Sequence, residues 1–383
     1  MNQSKRKGPA VVMPALFTIF ITVLILHSTV SAETEYEDGI SALAAVLMDQ
    51  KSGRVLWERN PHRSLPIASI TKIMTAILAL ELGHMEDVIV VSKEAADTEG
   101  SSIWLEEGEK KTLEELLYGL ILISGNDAAV AIAEHLAGSV EEFAMLMNEK
   151  AREIGAVNSH FTNPHGLPDD EHFSTAYDMA LIACYALNNE RFREIAATEE
   201  HTISWPDHPW DRIMSNQNRL LEKYPGGDGV KTGWTQKAGR CFVGSATRND
   251  WQLVVVVLNA PQMWEDATAL LDYGFNSYRQ EKLLYRGQVV STAEVTKGEE
   301  RVNVVVAESF CYPLRPGEKA VILYRINLVE ELSAPLPAGY SLGEMEMFLD
   351  DAVIGRVELQ AGQAVKRHPV SKYWVLLWAT FWE

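Results

Sequence analysis

Beyond an N-terminal run at 11–26, apolar positions crowd into two short runs, residues 42–49 and 54–59, on either side of Gln50-Lys51-Ser52-Gly53. Two such runs around a polar, glycine-ended tetrapeptide predict a β-hairpin. The period then changes. Ile70, Ile73, Met74, Ile77 and Leu78 recur at helical spacing and predict a helix over 70–82. Helices over 112–123, 126–137 and 140–154 continue the block, the first opened by a capping box of Thr112 with Glu115, and another is expected over 176–187. Strands return at 229–236, 239–247 and 251–258, and the four consecutive valines Val254, Val255, Val256 and Val257 are the pattern of a buried strand. An amphipathic helix over 264–278 closes the unit. A strand pair, a helical insertion, three strands and a helix imply an α/β unit of two lobes, an antiparallel sheet plus a helical lobe, with a natural site in the cleft between them.

From about residue 280 the texture differs. Short β-type runs at 289–295, 301–307, 319–327, 344–348 and 352–359 are separated by Gly and Pro, which predicts a small all-β domain. It carries no constellation of reactive residues, so a spacer or interaction module is the default reading. The tail changes again: residues 373–382 (YWVLLWATFW) are uncharged and follow Lys366, Arg367 and Lys372. As a helix this run extends only about 15 Å, too short to cross a bilayer of roughly 30 Å. Trp374, Trp378 and Trp382 fall on one stripe, and indoles prefer the membrane–water interface. The expectation is therefore a tail resting on a membrane surface, against the alternative of a terminal element docked on the β domain.

The other end sets the compartment. Lys5, Arg6 and Lys7 precede a nearly uncharged apolar run over 11–26, and Val30-Ser31-Ala32 places small residues where a signal peptidase reads, so cleavage is expected before Glu33. The sequence thus divides into a signal peptide at 1–32, a two-lobed domain at 33–279, an all-β domain at 280–365 and a tail at 366–383. An exported protein is expected, associated with the outer face of the cytoplasmic membrane. Loss of the three leader cations takes the formal charge from −19 to −22, and so acidic a chain argues against a nucleic-acid partner. Cys184, Cys241 and Cys311 are an odd, scattered set, no disulfide framework, with buried free thiols the expected state of the first two. The ten histidines form no HExxH and no tight cluster, so no metal is expected.

Three short motifs carry the chemistry. In Ser69-Ile70-Thr71-Lys72 the three-residue spacing puts Ser69 and Lys72 on one helical face. A lysine in apolar, cationic surroundings loses its proton readily and can serve as a base. Ser124-Gly125-Asn126 falls at a break between two helices, where side chains project into a cleft. Lys231-Thr232-Gly233 opens a strand after the Gly226-Gly227-Asp228-Gly229 turn; Lys231 and Thr232 offer a cation and a hydroxyl to a carboxylate, and Gly233 admits an extended peptide. Alone each motif is weak, since Ser4…Lys7 and Lys51-Ser52-Gly53 repeat two of them where they mean nothing. In the order Ser-x-x-Lys, Ser-x-Asn, Lys-Thr-Gly they form the signature of penicillin-binding proteins and class A β-lactamases.

Residues 41–279 resemble the catalytic domain of the low-molecular-mass penicillin-binding proteins, the D-alanyl-D-alanine carboxypeptidases. The resemblance extends to Pro66-Ile67-Ala68, Asn126-Asp127-Ala128, Asn163-Pro164-His165-Gly166-Leu167, Thr175…Asp178-Met179-Ala180, Asn218…Leu220-Leu221 and Trp234-Thr235. Residues 280–365 resemble the all-β domain that follows in that family, and the tail its membrane anchor. The resemblance implies Ser69 as nucleophile, Lys72 as its base, Ser124 as a proton relay to the departing D-alanine and Asn126 as the group positioning Lys72 and the substrate amide. It implies that Lys231 favours a neutral Lys72 and, with Thr232, holds the terminal carboxylate, and that the backbone N–H groups of Ser69 and Trp234 form the oxyanion hole. The implied substrates are peptidoglycan pentapeptide stems ending in D-Ala-D-Ala. β-Lactam antibiotics would acylate the same serine, and no cofactor is called for. One departure stands out: some relatives have a carboxylate-binding arginine between the last sheet strand and the closing helix, and residues 259–275 contain none.

Other readings are weaker. A class A β-lactamase would carry a deacylating Glu-x-x-Leu-Asn loop, absent between Ser124 and Lys231. A D,D-endopeptidase uses the same machinery on a larger leaving group and is poorly separated by sequence. A non-catalytic β-lactam sensor would adjoin a signalling membrane region and tends to lose a motif. His165, and Trp205 with Trp210, are expected to be structural, and no Gly-x-Ser-x-Gly elbow marks a Ser-His-Asp hydrolase.

Overall fold

Strand Trp251–Leu258 lies at the centre of a five-stranded antiparallel sheet in the order Val55–Arg59, Ala44–Asp49, Trp251–Leu258, Gly239–Arg248, Gly227–Thr235. The computed structural model describes residues 39–205, 208–298 and 300–368. The expected signal peptide and the tryptophan-rich run fall outside them. The four valines do not alternate with polar residues because both faces of their strand are covered. Val254 and Val256 enter the core beneath the helical lobe, while Val255 and Val257 enter the core against helix Met263–Ser277. Each is fully buried, contributing roughly 1.5–3 kcal/mol relative to an exposed side chain. The N-terminal hairpin joins the later strands through Ala44↔Leu258 to Asp49↔Leu253, so the chain ends of the unit are stitched together and the helices form an insertion.

The insertion is built on Lys72–Leu82, Asn126–Ala137, Val140–Ile154 and Ala176–Ala186. The expected 112–123 helix is instead three pieces. Lys110–Thr112 pairs with Val88–Val90 as a small ribbon, Leu113–Tyr118 is α-helical behind the Thr112–Glu115 capping box, and Gly119–Ile123 winds into a π-helical turn. The glycine-rich approach to Lys231 also differs from a turn, because strand Gly227–Thr235 already includes Asp228. Its carboxylate accepts hydrogen bonds from Ser245 Oγ, Thr247 Oγ1 and Gln252 Nε2 at 2.5, 2.5 and 2.9 Å. Partners on two neighbouring strands hold that segment extended.

The all-β domain is a five-stranded antiparallel sheet, Val289–Ala293, Val302–Val306, Ala352–Ala361, Ser341–Leu349, Leu323–Leu328, with a separate pair Arg279–Leu284 and Phe310–Leu314. That pair carries too much charge at one end and a proline at the other to announce itself in the sequence. The 319–327 run begins as a 3₁₀ turn, Glu318–Val321, before its strand. All three cysteines are free, Cys184 and Cys241 buried.

Arg54, at the end of the first hairpin turn, reaches across to the β domain. It makes a two-pronged ion pair with Glu318 at 2.9 and 2.8 Å and donates to the Pro313 carbonyl, between the rings of Tyr278 and Tyr312 at 5.3 and 5.2 Å. Arg315 returns the contact by donating to the hydroxyls of Tyr278 and Tyr273. Arg54→Ala is therefore expected to cost about 1.5–3 kcal/mol of the coupling between the domains. Calorimetry should then resolve two unfolding transitions where the parent shows one more cooperative event, and superimposable traces would disprove the coupling.

Candidate active site

Ser69 stands in the 3₁₀ turn Ala68–Thr71, which runs directly into helix Lys72–Leu82. Ala68 adopts φ 49°, a left-handed conformation uncommon for a residue with a Cβ, and its neighbours hold it there. Thr71 Oγ1 donates to the Ala68 carbonyl at 2.8 Å and lies 2.8 Å from His172 Nε2. The Thr162 N–H donates to His172 Nδ1 at 3.1 Å. That ring nitrogen is thus an acceptor, and the proton sits on Nε2, facing Thr71. Burial keeps His172 neutral, pushing its pKa down to about 4. Gly166, at φ +86°, packs so closely on the turn that a Cβ would fall 2.0 Å from the Ala68 carbonyl oxygen. The loop around His165 therefore braces the turn beside the serine.

Lys72 is fully buried, one helical turn from Ser69. Its Nζ lies 3.1 Å from Ser69 Oγ and donates to Asn126 Oδ1 at 2.7 Å and the His165 carbonyl at 2.8 Å. Every one of these partners is neutral. Burial first, and then the charge of Lys231, hold the Lys72 pKa well below that of a free lysine, with Asp127 opposing. Asn126 is itself fixed, its Nδ2 donating to the Glu99 carbonyl at 2.6 Å. Asp127 ties the loop before it to the start of the next helix by accepting from Ser102 Oγ, the Ile103 N–H and the Leu105 N–H. The π-helical turn ends at Ser124 in the left-handed region, φ 68° and ψ 32°, a conformation that local packing has to sustain. Ser124 Oγ is buried without a hydrogen-bond partner among the described residues and lines the cleft.

The opposite wall is the edge strand. Lys231 is buried, with Nζ donating to the Thr232 carbonyl at 3.2 Å, and burial pushes its pKa down to about 7. Thr232, Gly233 and Trp234 line the cleft with Ser69 and Ser124. Gly233 has a reason beyond substrate access: a Cβ there would stand 2.9 Å from the Ser69 nitrogen and 3.0 Å from that of Ile70. The edge strand can approach the nucleophile turn only with glycine at this point.

Ser69, Ser124, Thr232, Gly233 and Trp234 thus line one cleft of about 470 Å³, with Lys72 and Asn126 connected to it behind Ser69. Sequence reasoning missed its other cations. Arg219 and Arg240 also line it, so positive charge reaches the cleft from elements outside 259–275. Arg219 lies inside the Asn218…Leu220-Leu221 motif, and Arg240 lies opposite Trp234 across the hairpin. His172 was likewise missed, for it carries no motif and is brought in by the fold. His165 contributes its carbonyl, while burial and then the Lys72 charge push its ring pKa down to about 3. Trp205 packs under Arg212 and donates to Glu106, as an ordinary loop residue does. Among the described residues no cluster of His, Cys, Asp and Glu could hold a metal ion.

The group that lies 3.1 Å from Ser69 Oγ is an amine rather than an imidazole, and with the sheet and helical lobe around it the fold defines a serine hydrolase of the two-lobed penicillin-binding class. Residues 29–262 match the family described as D-alanyl-D-alanine carboxypeptidase, and residues 278–367 match the penicillin-binding protein 5 C-terminal domain. The chain belongs to the D-alanyl-D-alanine carboxypeptidase family. Relatives include the D-alanyl-D-alanine carboxypeptidase DacF of Bacillus subtilis (strain 168), 35% identical over 371 residues and covering 92% of this chain and 94% of the relative. DacC of Escherichia coli (strain K12) is 33% identical, covering 90% and 88%. Among solved structures, penicillin binding protein 5 from Haemophilus influenzae superposes with a TM-score of 0.71 at 30% identity, over 86% of this chain and 98% of that one. PBP3 from Streptococcus pneumoniae gives 0.76 at 27% identity, over 85% and 100%. The protein is a serine-type D-Ala-D-Ala carboxypeptidase, penicillin-binding and engaged in cell-wall remodelling.

The Lys231 charge lowers the Lys72 pKa. Replacing Lys231 by the neutral Met is therefore expected to raise it, moving the acid limb of the pH–rate profile for β-lactam acylation to higher pH. Acylation should also slow overall. An acid limb that stays in place would show that Lys231 does not tune Lys72.

Proposed function

We propose that Ser69 carries the acyl group and that Lys72, uncharged, is the base that activates it. The reading is carried by one observation: Lys72 Nζ lies 3.1 Å from Ser69 Oγ, fully buried and with neutral acceptors only. Ser69 Oγ bonds to the carbonyl carbon of the penultimate D-alanine as its proton passes to Lys72. The backbone N–H groups of Ser69 and Trp234 take up the developing oxyanion, a contribution worth about 3–4 kcal/mol per donor in well-studied hydrolases. Ser124 relays the proton to the leaving nitrogen, the C–N bond breaks and D-alanine departs. Water then displaces Ser69 and releases the shortened stem. Asn126 positions Lys72 and the substrate amide, while Lys231 and Thr232 hold the terminal carboxylate, beside the Gly233 and Trp234 backbone along which the peptide lies.

Release of D-alanine from a peptide ending in D-Ala-D-Ala is expected from the mature protein and not from Ser69→Ala, a loss of about 10⁴-fold or more. Release surviving in the variant would remove Ser69 from the role. Benzylpenicillin should acylate Ser69 and turn over slowly, because the loop at 163–167 offers the Lys72 amine a carbonyl and supplies no carboxylate to activate a deacylating water. Rapid penicilloic acid formation would contradict this.

The same proposal includes export and membrane association: residues 1–32 as a cleaved signal peptide, 33–279 as the catalytic unit, 280–365 as a spacer and 366–383 as an interfacial tail. Among the described residues no helix is long and apolar enough to cross a membrane. A chain ending at residue 368 is expected to lose binding to liposomes of mixed anionic and zwitterionic lipid while keeping its activity. Equal binding by both forms would place the membrane contact elsewhere.

A further inference from the structure

The peptide joining Ala68 to Ser69 is a planar trans amide, so its C=O and N–H point in opposite directions and neither turns without the other. Its two ends have unequal surroundings. The Ser69 N–H bonds to no described residue, and Ser69 lines the cleft. The Ala68 carbonyl oxygen, by contrast, is gripped. It accepts from Thr71 Oγ1 at 2.8 Å, and Gly166 packs so closely on it that a Cβ would fall 2.0 Å away. Ala68 itself holds φ 49°, a conformation its neighbours have to sustain.

Behind that oxygen runs a relay of hydrogen bonds in one direction. The Thr162 N–H donates to His172 Nδ1 at 3.1 Å, the His172 Nε2–H to Thr71 Oγ1 at 2.8 Å, and the single Thr71 hydroxyl proton to the Ala68 carbonyl. An amide N–H cannot accept and a carbonyl cannot donate, so the two ends fix the direction of everything between them. His172 is buried with its ring edge-on to Phe161 at a centroid distance of 5.6 Å, which leaves the imidazole little room to turn. Thr71 is fully buried, and neither it nor His172 lines the cleft. Hydrogen bonds in such a chain polarise one another. An amide whose oxygen accepts a bond is thereby a stronger donor at its nitrogen.

We propose that Thr71 and His172 are positioning residues of the oxyanion hole. By gripping the Ala68 carbonyl they aim the Ser69 N–H at the cleft and strengthen it as a donor. The proposal rests on the acyl-enzyme reading above, in which that N–H meets the developing oxyanion. Nothing is transferred along the relay: each proton stays on its own atom, and what depends on the pair is the orientation and polarity of one amide. A pair that only packed the nucleophile turn would leave the bonding of the acyl carbonyl unchanged.

The test is infrared difference spectroscopy on the full mature chain acylated by benzylpenicillin carrying an isotopic label at the β-lactam carbonyl. An ester carbonyl held by strong donors vibrates at lower wavenumber. Only folded, acylated enzyme gives the band, so a partly unfolded preparation changes its intensity and not its position. Thr71→Val, which keeps the branched shape and removes the hydroxyl, is expected to move the band to higher wavenumber. It should also slow acylation about ten-fold or more, less than outright loss of a hole donor would. His172→Phe, which keeps a ring against Phe161 and removes the donor, should move the band the same way. The double variant should show no larger shift than Thr71→Val alone, because both residues act through one bond. Thr71→Ser, which keeps the hydroxyl, should return the band to its wild-type position. A band at the wild-type position in both Thr71→Val and His172→Phe overturns the proposal, whatever the acylation rates. A wild type that gives no ester band would instead overturn the acyl-enzyme reading on which it rests.

Discussion

Two lysine amines are buried beside one cleft, and among the described residues no carboxylate is hydrogen-bonded to either. Removing a charged ammonium from water costs several kcal/mol even after relaxation, and two such charges close together repel. Both amines are pushed toward the neutral form, Lys72 by burial and then by the field of Lys231, Lys231 by burial alone. On the proposed mechanism this divides the labour between a neutral amine beside the serine and a second amine that charges when an anionic substrate arrives. An Asp or Glu hydrogen-bonded to Lys72 would stabilise the ammonium and abolish its use as a base. The choice of an asparagine and a backbone carbonyl as its partners follows from that constraint.

Holding a neutral amine 3.1 Å from a hydroxyl requires a rigid frame, because the attraction of an uncharged pair is too weak to impose geometry. The frame comes from close backbone contacts. Gly166 lets the His165 loop press on the Ala68 carbonyl, and Gly233 lets the edge strand press on the Ser69 nitrogen. The Thr162–His172–Thr71–Ala68 chain of hydrogen bonds pins the turn from behind. Asp127 collects three donors from the loop over 102–105, and so fixes the helix start that carries Asn126. Two residues of this frame, Ala68 and Ser124, are left-handed.

What could be read from the sequence follows from range. Ser69 and Lys72 are three residues apart, so helical spacing alone puts them together; the Thr112–Glu115 cap and the four valines are equally local. The two-lobed architecture was legible because the period switches from two to helical and back. The π-helical turn was not, since Gly119–Ile123 has the same apolar pattern as an α-helix, and only the closure of the Gly119 carbonyl by the Ser124 and Gly125 N–H groups distinguishes it. The strand character of Gly227 and Asp228 depends on Ser245, Thr247 and Gln252, partners on other strands. His172 bears on the site through Thr71, 101 residues away in sequence, and Arg219 and Arg240 reach the cleft only through the way their segments fold, for which no spacing rule exists. The arginine that residues 259–275 lack illustrates the point: counting cations in one segment could not reveal that two others face the same cleft.

Charge distribution ties the site to its substrate. The chain carries a formal charge of −19, yet Arg219 and Arg240 line the cleft against one carboxylate, Glu265, and the strand that forms its wall carries the buried Lys231. A cationic slot in an acidic body repels polyanions from the surface at large. It concentrates field lines where a small carboxylate can enter between low-dielectric walls. On the proposed binding mode the terminal carboxylate of a stem peptide is such a group, and its arrival beside Lys231 would favour the ammonium there. That charge lowers the Lys72 pKa further. Substrate binding and base activation would then be linked through one buried amine, and an uncharged ligand in the same cleft would forgo that coupling.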